Sequence, residues 1–109
     1  MAKLSNKSAA GTSWYGQEIK TTPKQLIEIL GTPQFGDNSG QDKCNFDWVC
    51  ETEDGDVFTV YDWKEYAPLN MDSVYSFHIG ANTSLVSSKA LDELELSLLG
   101  DVEVSLLKK

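Results

Sequence analysis

The stretch KCNFDWVCETEDGDVFTVYDWK, residues 43–64, decides the fold. Two runs rich in aromatic and β-branched residues, 43–52 and 57–64, flank Glu53-Asp54-Gly55-Asp56. Asp-Gly between such runs signals an antiparallel hairpin, because a type I′ turn needs positive φ at both central residues and these two types tolerate it. With the turn centred on Asp54 and Gly55, directly paired residues have numbers adding to 109. That register sets Trp48 opposite Tyr61, Phe46 opposite Trp63 and Cys50 opposite Thr59 on one face. Val49 then meets Val60, and Glu51 meets Phe58, on the other face. Slipping the pairing so that Trp48 meets Asp62 and Phe46 meets Lys64 would mix apolar with solvated groups, so the first register is the one predicted.

Outward from the hairpin, Thr22-Pro23 offers a hydroxyl cap followed by proline at the first helical position. Leu26, Ile27 and Leu30 recur at helical spacing up to Gly31, which predicts a helix over 23–30 that Thr32-Pro33 cannot prolong. Residues 36–42 are all turn formers or polar and predict a surface loop. Val74–Ile79 alternates as a strand that Gly80 would end. A second helix is predicted over 88–99, capped by Ser87-Ser88, striped by Leu91, Leu94, Leu98 and Leu99, and stopped at Gly100. Residues 102–107 alternate and then run apolar, which fits a strand, an edge element or a partner-binding tail and points to a homodimer. Trp14–Ile19 reads as a short strand or extended lead-in. Residues 1–13 carry, after Met1, one large apolar side chain, Leu4, and predict a flexible tail ahead of a single domain over 14–109.

These elements together predict an α+β domain: an antiparallel sheet of three to five strands built on the central hairpin, with two helices packed on one face. The N-terminus lacks the apolar core of a signal peptide and no run approaches the length of a membrane span, so the expected setting is soluble and cytoplasmic. Cys44 and Cys50 are too few for a disulfide scaffold and their spacing fits no zinc or redox motif, so both are expected as free thiols.

Charge narrows the function further. Seventeen acidic residues stand against nine basic ones, giving a formal charge of −8, and all nine bases are lysine. Without arginine there is no bidentate fork for phosphate, and the negative field repels nucleic acid, so direct binding to DNA or RNA is not expected. Phosphate-cradling glycine loops are missing, and His78, the sole histidine, has no second ligand at metal spacing. No cofactor, metal or catalytic residue is expected, and the chain reads as a non-enzymatic binding protein. Two surfaces could do the binding. Asp47, Glu51, Glu53, Asp54, Asp56 and Asp62 form an acidic hairpin uninterrupted by lysine, suited to a basic protein partner. Trp48, Tyr61, Trp63 and His78 could instead enclose a planar, nucleotide-like ring, or the aromatic face of Phe46, Trp48, Tyr61 and Trp63 could simply be core beneath the helices. A third use, as a virion or assembly component, would rest on the apolar C-terminal segment.

The segment ETEDGDVFTVYDWKEY, residues 51–66, followed by FHIG at 77–80, resembles small accessory proteins encoded by tailed bacteriophages. The resemblance covers about a third of the chain and carries no catalytic signature. It implies a protein acting in an infected host cell as an inhibitor of a host or anti-phage defence factor, and the charge pattern would set the acidic hairpin against that factor's basic surface.

Overall fold

A computed structural model describes residues 2–34, 45–63 and 68–107. The elements run β1 (Lys3–Leu4), β2 (Ser13–Thr21), α1 (Pro23–Leu30), β3 (Asp47–Glu51), β4 (Val57–Tyr61), β5 (Tyr75–Ala81) and α2 (Ser84–Leu107). The five strands form one antiparallel sheet in the order β1-β3-β4-β5-β2, so the hairpin lies near its middle. Both helices pack on one face of it, which is the α+β arrangement expected from the sequence.

Helix α1 forms where its caps place it. The Thr22 hydroxyl accepts the Gln25 N–H at 3.1 Å and the Gln25 side chain returns to the Thr22 backbone, closing a capping box. At the far end the Gly31 N–H donates to Ile27 O at 2.7 Å. Leu26 and Leu30 on its inner face are buried against the sheet.

The hairpin forms, but one residue away from the expected register. Trp48 pairs with Val60, Cys50 with Phe58 and Asp47 with Tyr61, so paired numbers add to 108. The turn chemistry permits the shift. Gly55 N–H donates to Thr52 O, Thr52 N–H donates to Asp56 O, and Gly55 has positive φ, at 87°. A three-residue loop of this kind needs one left-handed position where a two-residue type I′ turn needs two, and Asp-Gly satisfies either. Because side chains alternate, the single step puts Trp48 and Tyr61 on opposite faces. Trp48, Cys50, Phe58 and Val60 point into the core with Phe77, Ile79 and Ala81 of β5 and Leu94 of α2, all fully buried. The Trp48 indole N–H, which would otherwise be an unmet buried donor, reaches Gly31 O at 2.9 Å. Cys50 is a free, buried thiol pushed up to about 12, first by burial and then by the Asp47 charge; Cys44 lies outside the described residues.

Three further expectations are corrected. Gly80 does not end β5: it pairs with Thr59 and Trp14, and a Cβ there would stand 2.7 Å from the Thr59 hydroxyl, so glycine is the residue that lets these strands meet. Helix α2 starts earlier, with Thr83 Oγ1 accepting the Val86 N–H at 3.2 Å, and it runs through Gly100 and on over the segment expected as a strand or tail. Gly100 is not among the positive-φ glycines, and a glycine stops a helix only when it turns left-handed. The inward face of α2 is Ser87, Ala90 and Leu94, whereas Leu99 is 58% exposed. The N-terminal segment is not simply a tail. Lys3 and Leu4 pair with Glu51 and Cys50, and Ser5 N–H donates to Val49 O at 2.9 Å. Open backbone groups on the outer edge of β3 hold a segment whose own side chains offer little to bury.

Candidate functional site

The hairpin register leaves one sheet face for the core and turns the other, open face into the candidate site. Tyr61 lies there, paired across the sheet with His78 of β5 and with Asp47 of β3. Trp63 follows two residues after Tyr61 and meets it edge-on, ring centroids 6.1 Å apart and planes at 79°. The His78 ring is 5.5 Å from Tyr61 and 6.4 Å from Trp63.

Strand β2 completes the cluster. Its pairing with β5 jumps from Trp14↔Gly80 to Glu18↔His78, an irregularity centred on Gly16, whose φ is 92°. With the extra residues taken up there, Trp14 and Glu18 both reach His78. The indole stacks on the imidazole at 4.1 Å and 6°, and Glu18 Oε1 lies 3.2 Å from His78 Nε2. The Trp14 ring is held by its own N–H, which donates to Gln17 O at 3.0 Å. His78 is thus nearly enclosed, while Trp14 and Trp63 are 46% and 42% exposed.

Asp47 forms the far edge of this face and lines a cavity of about 260 Å³ together with Thr59, Tyr61, Trp63 and Gly80. Its carboxylate is half-buried, and its Oδ1 is buried with no hydrogen-bond partner. Burial, and secondarily the neighbouring Asp62 charge, raise its carboxyl above the usual carboxylate range.

The expected site residues therefore separate. Tyr61, Trp63 and His78 come together as anticipated, but Trp48 belongs to the core on the opposite face. Of the acidic set, Asp62 is fully buried and accepts from Asn45 N–H and Phe46 N–H, each at 2.8 Å, and from Asn45 Nδ2 at 3.0 Å. It is a clamp on the start of β3 and cannot touch a partner. Glu51 is bridged by Lys7 at 3.1 Å and Lys3 at 3.4 Å, and the Lys7 bond chiefly holds its carboxyl below the usual range. Asp54 pairs with Lys89 of α2, and Glu53 N–H donates to Glu93 Oε1 at 2.9 Å. The exposed acids of the tip, Glu53, Asp54 and Asp56, do not gather around the aromatic cluster, and Asp47 alone of the set stands beside it.

Sequence reasoning missed Trp14 and Glu18. Both lie far along the chain from the hairpin, and only the β2–β5 pairing brings them in. Among the described residues no group of three or more His, Cys, Asp or Glu could hold a metal ion, and no helix is long and apolar enough to cross a membrane. Comparison with protein-family models, with curated proteins and with solved structures gives no match.

Proposed function

We propose that this chain is a non-catalytic binding protein whose working surface is the open sheet face, and that it recognises a basic segment of a partner protein. The observation that carries this is the aromatic cluster of Trp14, Tyr61, Trp63 and His78, its two indoles nearly half exposed on the face the helices leave uncovered. Large aromatics at the surface are costly to leave in water and are the usual anchors of protein contacts. Here they are edged by two carboxylates, Glu18 and Asp47, on a chain of net charge −8. Aromatic faces and carboxylates both attract cations, so a lysine- or arginine-bearing segment fits this surface better than an acidic or neutral one. The volume beside Asp47 is about 260 Å³, below the roughly 300–1,000 Å³ of sites that enclose drug-sized ligands, so it does not enclose a whole nucleotide. The resemblance to phage accessory proteins extends the proposal to a host or anti-phage defence factor as the partner, blocked by occupation of its basic surface.

Selection from a random-peptide display library on the wild-type protein tests this reading. The enriched peptides are expected to be rich in lysine or arginine, to lose roughly tenfold or more of their affinity on the Trp14→Ala/Trp63→Ala variant, and to associate more slowly as salt rises and the Debye length falls from about 30 Å at 0.01 M to about 8 Å at 0.15 M. Neutral or acidic enriched peptides, or binding unchanged by the double variant, would overturn it.

A further inference from the structure

We infer that the cavity beside Asp47 is a receptor for a single cationic side-chain head, the ammonium of a lysine or the guanidinium of an arginine, carried by the partner; the inference rests on the binding role assigned above to the open face. Three features of the site carry it.

The first is an uncompensated carboxylate. Asp47 Oδ1 is buried without a hydrogen-bond partner, and among the described residues no ion pair includes Asp47. Lys3 and Lys7 are committed to Glu51, and Lys89 to Asp54. A carboxylate taken partly out of water without a donor or a counter-charge is unfavourable, and it becomes favourable when a cation arrives. A neutral ligand in the same place would strip away water and leave the charge worse off.

The second is the shape and lining of the space. The rings of Tyr61 and Trp63 line it with their planes at 79° to each other, and a cation that meets a ring face gains from the ring quadrupole. The Thr59 side chain, the bare backbone of Gly80 and, from the N-terminal segment, Ala9, Thr12 and Ser13 complete it. Any Cβ at position 80 would intrude 2.7 Å from Thr59 Oγ1 and 3.6 Å from the Tyr61 ring, so the room beside the carboxylate depends on that glycine.

The third is size. A space of about 260 Å³ accepts one side-chain head rather than a drug-sized molecule, for which about 300 Å³ is the lower bound. A hard metal cation is a poorer occupant, because Asp47 is the single carboxylate lining the cavity among the described residues and oxygen-bound divalent ions take about six or more ligands.

The probes are butylammonium and butylguanidinium, with butylurea as a neutral isostere, titrated by NMR into the full-length protein up to about 50 mM, a range that resolves millimolar dissociation constants. Saturable shifts are expected at the Thr59 and Gly80 amides and the Trp63 indole N–H with both cations and not with butylurea. Asp47→Asn is expected to weaken cation binding roughly tenfold, the usual scale of a lost charge-assisted contact. A second readout needs no variant. Because a cation binds the ionised carboxylate in preference, a tenfold preference lowers the Asp47 titration midpoint by about one pH unit at saturation, visible in its side-chain carboxyl resonance. Absence of shifts, equal binding of butylurea, or an Asp47 midpoint unmoved by butylguanidinium would overturn the inference. Should basic peptides be selected and lost on the tryptophan variant while Asp47→Asn binds them normally, the open face stands as the binding surface and this cavity assignment alone fails.

Discussion

Asp62 offers the sharpest test of the fold's polar economy, because the sequence reads it as a surface acid and the structure as an internal clamp. Replacing it with alanine removes the acceptor for three donors at once: the backbone N–H groups of Asn45 and Phe46, and the Asn45 side-chain amide. Asn45 is 1% exposed and Phe46 8%, so water cannot substitute without local opening. A buried donor left unpaired costs about 1–3 kcal/mol. One opposing effect is smaller: losing the Asp62 charge eases the ionisation of Asp47 beside it. With three such donors the net loss is about 3 kcal/mol or more, a large part of the roughly 5–15 kcal/mol that holds a domain together. Urea unfolding followed by tryptophan fluorescence reads this directly. With a slope of about 1–3 kcal/mol per M, the midpoint should fall by roughly 2 M. Asp56→Ala at the exposed tip serves as reference and should stay within about 0.5 kcal/mol of wild type. An Asp62→Ala midpoint indistinguishable from that of Asp56→Ala would refute the buried clamp.

The remaining predictions concern the sheet and its titrating groups. Gly80→Ala should destabilise by about 1–3 kcal/mol, because the stiff Thr59 side chain blocks the added methyl, and Thr59→Ala in the same chain should recover most of the loss. Gly55→Ala should cost about 1–2 kcal/mol at its left-handed φ of 87°, with Gly55→Asn costing less, both measured by thermal unfolding. Asp47→Asn should stabilise the protein at pH 7, since its raised carboxyl binds a proton more tightly folded than unfolded; the gain should shrink as pH falls through the folded value and vanish below the ordinary 3.8. Glu51→Gln should do the reverse: it destabilises at neutral pH, and the difference fades as pH falls below the ordinary 4.5 and through the lowered folded value.

Local chemistry determined what could be read from the chain alone. The capping box at Thr22 and Gln25 with Pro23 and Gly31, the aromatic and β-branched runs around Asp54-Gly55, and the alternation from Tyr75 onward act over a few residues, so α1, the hairpin and the start of β5 were legible without any tertiary context. Register was not, because Asp-Gly closes a two-residue or a three-residue loop equally well and the choice is made by which side chains the helices must cover. That single step sent Trp48 under α1 and α2 and left Tyr61 on the open face. Gly80 and Gly100 carry the same punctuation in sequence, yet one sits inside a strand close against Thr59 and the other inside a helix with nothing near it, since what a glycine does depends on the backbone conformation the packed chain gives it. The acids divide in the same way: composition counts Asp62, Glu51 and Asp47 alike, and only the packed chain makes one a clamp, one an ion-pair hub and one a carboxylate facing a cavity. The aromatic site was legible only in part: Tyr61, Trp63 and His78 could be grouped from the sequence, but Trp14 and Glu18 reach His78 through an irregular pairing of β2 with β5, a long-range contact whose energy no local pattern encodes.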